Sequence, residues 1–323
     1  MFSVVIPLYN KAKYIENAVA SVLEQTWPDF DLIVVNDGST DGSRERLTGF
    51  ADRRLQVVDQ PNAGVSVARN NGAKHACFNH IAFLDADDWW HPHFLEEMKC
   101  LIAQFPDAGL YGSRYYIVKN GLHTPAQIGV PTGFSAGYID YFAVYAQTFW
   151  VPINCSFVVV NKLAFEQQNG FNPGLKFGED FDLWVRIALR HRVAYVNQLL
   201  AYSNQDADTT NRALGTDKCW KPAEHVTFNL SEFAGEEPYN PNLNTLFDGL
   251  RVRSLVSYRL NGWYHNEVRA IISRVNLKKQ PPFYCFIYQW PLPVVRAYFW
   301  VKQIGSTVKQ RLLRTYAQRT STT

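Results

Sequence analysis

Carboxylates are the residues in this chain best placed to do chemistry. Asp85-Ala86-Asp87-Asp88 sets three of them within four positions, directly after an apolar stretch at 81–84. Like charges this close repel one another unless a cation or a basic side chain sits among them. They are also hard oxygen ligands, of the kind Mg²⁺ or Mn²⁺ takes together with waters and substrate phosphates. An exposed turn capping the next helix would use the same residue types, and Asp88 suits that role. A second cluster is Asn36-Asp37-Gly38-Ser39-Thr40-Asp41-Gly42. There Asp37 could accept hydrogen bonds from a base or sugar, with glycines allowing close backbone approach, or the segment could be a turn with Ser39 or Asp41 as cap. The third is Gly178-Glu179-Asp180. A carboxylate there could take a proton from an incoming hydroxyl, or could simply favour a helix N-terminus by ~0.3–1 kcal/mol.

These residues need elements to hold them. Residues 2–8, 32–35, 55–58 and 81–84 are short apolar runs that read as strands, and 64–77 and 93–104 have helical periodicity. Alternation of this kind predicts βαβ units and a mostly parallel α/β sheet, whose ligands collect at the carboxyl ends of the strands. All three acidic clusters follow apolar runs or open helices, as such a site requires. Further along, 111–118 with Lys119-Asn120-Gly121 predicts an antiparallel hairpin, and 134–149 an aromatic helix. A strand is expected at 156–160, a helix at 180–189 and a short closing strand at 193–196. Neither GxGxxG nor GxxxxGK[ST] follows the first strand, which argues against a dinucleotide oxidoreductase or a P-loop ATPase. The segment from Gly64 to Gly72 could present Arg69 or a helix N-terminus to an anion, and a packed helix start is the alternative.

The 323 residues carry a formal charge of +3, and 47% are hydrophobic, enough for a large core and unlike a disordered tail or a disulfide scaffold. That small charge conceals an asymmetry: residues 251–323 hold 13 Lys or Arg against the single acid Glu267. Five scattered cysteines without metal spacing suggest ordinary buried thiols in a reducing compartment. Met1 leads straight into apolar residues with no basic n-region, so no secretory signal is expected, and no run of 18 apolar residues suggests a membrane span.

Taken in order, these segments resemble the inverting glycosyltransferases of family 2, over about residues 1–210. The likeness rests on Ser3-Val4-Val5-Ile6-Pro7-Leu8-Tyr9-Asn10-Lys11, on residues 21–26 with 36–41, on 64–72, on Phe83-Leu84-Asp85-Ala86-Asp87-Asp88, and on Gly178-Glu179-Asp180-Phe181-Asp182-Leu183-Trp184. It implies a GT-A fold, Rossmann-like, over a catalytic domain of 1–215, followed by a mainly helical region at 216–323. It further implies a nucleotide pocket lined by Pro7, Tyr9, Asp37 and Arg69, with Asp85 near the ribose. Asp87, with Asp85, would hold Mg²⁺ or Mn²⁺ as a DXD motif. Asp180 would be the general base, with Glu179 beside the acceptor, and the donor a UDP-sugar. Many relatives carry Arg-x-His near the end of the catalytic domain; the matching place here is Tyr202-Ser203-Asn204-Gln205-Asp206, without histidine.

Trp150, Trp89 and Trp90 are candidate acceptor contacts, since aromatic faces stack on sugars, although core packing is the commoner fate of such residues. The tail combines aromatics from Phe283 to Trp300 with Arg296, Lys302, Lys309, Arg311 and Arg314. That suits an anionic bilayer interface, with packing against the catalytic domain or another subunit as the alternative. A lipid-linked glycan acceptor and a cytoplasmic, peripheral location at the inner face of the cell membrane follow from the first option. A homo-oligomer is compatible with the second. Nucleic acid is not expected, because no binding motif accompanies the charge. The competing classes are a sugar-phosphate nucleotidyltransferase and a non-catalytic membrane-associated scaffold.

Overall fold

A computed structural model describes residues 2–207 and 219–302. The boundary expected at 215/216 and the tail residues Lys309, Arg311 and Arg314 lie outside the described residues. The chain opens with β1 (Phe2–Leu8), α1 (Ile15–Leu23), β2 (Phe30–Asp37), the short α2 (Ser43–Arg46), β3 (Leu55–Gln60), α3 (Val65–His75) and β4 (His80–Phe83). Next come β5 (Trp89–Trp90), α4 (Phe94–Gln104), β6 (Ala108–Lys119), β7 (Leu122–Pro125), β8 (Ala136–Ile139), α5 (Tyr141–Thr148), β9 (Val158–Asn161), α6 (Lys162–Gln167), α7 (Glu179–Ala188) and β10 (Arg192–Asn204). They build one mixed sheet in the order β3-β2-β1-β4-β9-β6-β10-β5, with β7 beside β6 and β8 beside β10. This is an α/β fold of GT-A type.

The first four strands pair in parallel, and strand order reverses between β1 and β4. A crevice at the carboxyl end of the sheet follows from that reversal. Every residue of β1 is buried, which is why it reads as a nearly unbroken apolar run. Its polar exception, Ser3, accepts a hydrogen bond from the Phe78 N–H at 3.0 Å. Pro7 pairs with Val35 of β2, whereas pairing with β4 stops at Val5. The carbonyl of Val5 accepts from Leu84 N on the β4 side, so the missing N–H of Pro7, two residues on, faces the end of that ladder, where it is tolerated. α3 lies directly on β1 and β2: a Cβ on Gly72 would sit 2.3 Å from a methyl of Val5 and 3.2 Å from one of Val35.

Beyond β4 the sheet turns antiparallel at β9 before β6 and β10 pair in parallel. The expected hairpin forms between β6 and β7. The stretch 134–149 corrects the single-helix expectation. Its first part is β8, antiparallel to β10, and the helix starts only at Tyr141, where Asp140 accepts from Ala143 N at 3.0 Å. Aromatic and β-branched residues such as Tyr138 and Ile139 fit a pleated edge as readily as a helix face. The short strand expected at 193–196 is only the beginning of β10, which runs for 13 residues.

The chain divides into two compact units, Met1–Leu246 and Phe247–Thr323. α8 (Val226–Asn229) belongs to the first, and the division falls within the residues of α9 (Pro241–Ser254). The second unit is helical, with α10 (Val256–Asn261), α11 (His265–Ile272), α12 (Pro282–Gln289) and a helical stretch at 292–302. Tyr288 donates its hydroxyl hydrogen to Val252 O at 2.8 Å, and Arg296 Nε donates to Leu260 O at 2.7 Å. Among the described residues no helix is long and apolar enough to cross a membrane. All five cysteines are free thiols, but Cys77, Cys100 and Cys219 are exposed, contrary to the expectation of burial. Cys100, for example, points away from the buried face of α4 formed by Phe94, Leu95, Met98 and Leu101.

Candidate active site

The loops that leave β1 and β2 are knitted together. Asn10, held at φ +51°, donates its N–H to Ser39 Oγ at 3.1 Å and accepts from Thr40 N at 2.8 Å. Lys11 N donates to Ser43 Oγ at 2.8 Å, and Ala12 N to Asp41 Oδ2 at 3.0 Å. Asp41 therefore serves this cross-link as well as the start of α2, and its pKa is lowered: its bonds to Ser43 and to the Ala12 N–H outweigh the cost of partial burial. Tyr9, 39% exposed, stands at the carboxyl end of β1. Asp37 is buried, and its carboxylate accepts from Gln60 Nε2 at 2.7 Å, Ala63 N at 2.8 Å and Gly64 N at 2.9 Å. It anchors the turn into α3, which passes through Gly64 at φ +92°.

α3 delivers Arg69, only 4% exposed, to the centre of the site. Its Nη2 donates to Asp85 Oδ1 at 2.7 Å and its Nη1 to Glu179 Oε1 at 2.9 Å. The guanidinium also lies 5.2 Å from the Phe171 ring centroid. One buried cation thus joins the acidic loop after β4 to the first turn of α7. Removing such a cation would leave two carboxylates facing each other in a poorly solvated place.

Asp180 sits beside Glu179 at the start of α7. Burial, reinforced by the charge of Glu179 and partly offset by Arg69 and the Phe181 N–H, lifts its pKa from 3.8 to about 7. Phe181 N donates to Asp180 Oδ1 at 2.7 Å. α7 has no side-chain cap; Gly178 at φ +77° precedes it, and Glu179, Asp180 and Asp182 occupy the first turn, where the helix dipole favours them. The entrance to α7 is braced from downstream. Lys176 N and Phe177 N donate to Glu224 O at 2.8 and 3.1 Å, and Val226 N donates to Phe177 O at 3.0 Å. A Cβ on Gly178 would lie 2.3 Å from Val226.

The loop after β4 places its three aspartates in different settings. Asp85 N donates to Ser156 Oγ at 3.2 Å, and the Asp85 carboxylate meets Arg69. Asp87 Oδ2 lies 2.6 Å from Lys11 Nζ. Asp88 is buried and accepts from Asn204 N at 2.7 Å. Burial, and then the charges of Asp87 and Asp85, push its pKa well above the usual range. Asp88 is therefore a latch onto the end of β10 rather than a cap for α4, whose N-cap position is His93. At 202–206, where the resemblance leads one to expect a histidine, Asp206 accepts from Asn120 N at 2.8 Å, and Asn204 Oδ1 accepts from Asp206 N at 3.0 Å.

The three tryptophans separate. Trp90 is core: it is 3% exposed, stacks on Phe94 at 4.1 Å and donates its indole N–H to Ser156 O at 2.6 Å. That burial removes it from any acceptor surface. Trp150 is half-buried against the core cluster. Trp89 is half-exposed on the last strand of the sheet, with one face stacked on Tyr202 at 5.3 Å. Two site residues escaped the sequence reading. Lys11 was visible only as the last residue of the opening motif, and Cys155, buried, is close enough to Arg69 and Asp180 to interact electrostatically with both.

Asp85 and Asp87 supply hard oxygens of the right chemistry for Mg²⁺ or Mn²⁺. Among the described residues, however, no group of three His, Cys, Asp or Glu side chains could hold a metal ion. They fit a hard cation that keeps several waters and takes its remaining ligands from a substrate phosphate. The comparisons with known proteins agree with this architecture. The family model "Glycosyl transferase family 2" matches residues 3–162. TuaG of Bacillus subtilis, named as a teichuronic acid biosynthesis glycosyltransferase, is 29% identical over 237 residues, covering 72% of this chain and 88% of TuaG. The structure of S. aureus TarS 1-349 in complex with UDP-GlcNAc superposes with a TM-score of 0.58 at 17% identity, over 84% of this chain and 90% of that one. The mannosyltransferase PcManGT from Pyrobaculum calidifontis, in complex with GDP-Man and Mn2+, gives 0.53 at 18% identity, over 87% of this chain and 76% of that one. At these identities the two structures share the fold. The fold and the order of the strands are those of the GT-A class of α/β proteins. Residues 3–162 belong to glycosyltransferase family 2 by the family-model match. The chain spans 46%, 30% and 32% of three longer relatives that it matches.

Proposed function

We propose that this protein transfers a hexose or N-acetylhexosamine from a UDP-sugar to a hydroxyl of a cell-surface glycan, with inversion at the anomeric carbon. The observation that carries the reading is the Arg69 bridge, which ties the Asp85 loop to the Glu179–Asp180 turn. Asp180, with its pKa near neutrality, is the base that takes the acceptor's proton. One carboxylate base suffices, because the diphosphate is already a good leaving group and needs no second carboxyl to protonate it. Arg69 balances the charge of Asp85 and Glu179 and keeps Asp180 from rising further. Tyr9 is the surface for the base of the donor, and Asp37 holds the turn beneath it. Asp87, with Asp85, would hold Mg²⁺ or Mn²⁺, which supplies charge neutralisation for the departing diphosphate when bound.

UDP as the donor nucleotide is supported by the complex of TarS with UDP-GlcNAc, and an envelope polysaccharide as the product by the name of TuaG. Asp180→Asn tests the chemistry. Turnover should fall about 10²–10⁴-fold while UDP affinity by calorimetry stays within about twofold. Unchanged turnover would remove Asp180 from the reaction.

A peripheral membrane location and a lipid-linked acceptor belong to the same proposal. The second unit exposes Trp290 at 53%, Trp300 at 65% and Val301 at 61%, together with Phe283, Val294 and Tyr298. Arg269, Arg274, Lys278, Lys279, Arg296 and Lys302 are exposed in the same unit. Exposed aromatics interleaved with basic residues suit the headgroup layer of an anionic bilayer.

A further inference from the structure

Lys11 has a role that the transfer chemistry leaves unassigned. Its ammonium makes a 2.6 Å contact with Asp87, in a pair whose side chains are only 14% and 12% exposed. The contact is built rather than incidental. Lys11 N is held by Ser43 Oγ at 2.8 Å, and Lys11 O accepts from Tyr14 N at 2.9 Å and Ile15 N at 3.0 Å. The neighbouring residues Asn10 and Ala12 are fastened to Ser39, Thr40 and Asp41. The backbone on either side of the lysine is thus fixed to the segment that follows β2, and the side chain is delivered to one carboxylate. Asp85, the other half of the pair, already has Arg69.

We infer that Lys11 is a tethered counter-cation that competes with a divalent ion for Asp87, an inference that rests on the metal-dependent reading above. Without nucleotide the ammonium neutralises the carboxylate in place of metal. A divalent ion must displace it, at a cost that is recovered when substrate phosphate completes the ion's coordination. The nucleotide-free protein therefore binds the ion weakly, and ion and nucleotide bind with positive coupling. Lys11 is a positioning residue here, acting through Asp87.

Mn²⁺ binding, followed by electron paramagnetic resonance on the full chain, tests this without any turnover. Lys11→Met should bind Mn²⁺ roughly five- to tenfold more tightly than wild type in the absence of nucleotide. Adding UDP should narrow the gap. Lys13→Met, which removes an exposed charge from the same loop, should leave Mn²⁺ affinity unchanged. In wild-type protein, Mg²⁺ titration should shift the ¹⁵N signal of the Lys11 ammonium, a readout that needs no variant to fold. Equal affinity in Lys11→Met and wild type, an equal gain in Lys13→Met, or a Lys11 signal indifferent to Mg²⁺ would each overturn the inference. If wild type binds Mn²⁺ only through Asp87, shown by loss in Asp87→Asn, the metal reading stands even when the lysine inference fails. No Mn²⁺ binding to any of these proteins, with or without UDP, would remove both.

Discussion

At the scale of single residues, the site works by giving similar carboxylates different surroundings. Asp37 is saturated with N–H donors, Asp85 and Asp87 face cations, Asp88 is buried on a backbone N–H, and Asp180 is lifted to about 7. The last value has two consequences with a definite sign. Turnover should rise with pH through about 7 and then level off, because the base acts in its deprotonated form; a pH–rate profile on saturating donor checks it. For stability, the native state keeps a proton between about pH 4 and pH 7 that the unfolded chain has released. Asp180 therefore lowers stability as pH rises through that window, and its effect is constant above it. Asp180→Asn should raise the melting midpoint relative to wild type more at pH 8 than at pH 4.5, measured by calorimetry. The identity of these carboxylates was legible in the sequence, because they follow apolar runs. Their partners were less so: nothing in the order of residues says that Lys11 meets Asp87, 76 positions away, or that Asp88 meets Asn204.

At the scale of elements, the parallel half of the sheet could be read to within about two residues at each strand end. β1 is a buried apolar run bounded by Tyr9-Asn10, and α3 carries its periodicity between Gly64 and Gly72. The other half was harder. β8 and α5 share aromatic residues that satisfy either period, and the length of β10 depends on partners from β5, β6 and β8. Gly72 shows what the correct half demands. Gly72→Ala should destabilise the protein by about 1–3 kcal/mol in urea unfolding, because the added methyl drives α3 off β1. A smaller effect would mean that α3 can shift at little cost, and Arg69 with it.

At the scale of the whole molecule, charge and exposed aromatics are unevenly shared, and this much was visible from composition alone. The first 250 residues are acidic on balance and the rest strongly basic. Full-length protein should sediment with vesicles containing anionic phospholipid, and less so as salt screens the attraction, at about 1 kcal/mol for each basic residue near the surface. Equal sedimentation with neutral vesicles would point to the aromatics alone, and none at all would remove the membrane from the proposal. How far the first compact unit extends was not legible, because part of what ties residues 224–226 into it is three backbone hydrogen bonds to residues 176–177. That brace gives the protein a natural seam. Chimeras that exchange acceptor-side halves between relatives should be spliced after Asn229, since a splice before Glu224 would graft one enzyme's proton acceptor onto another's scaffolding.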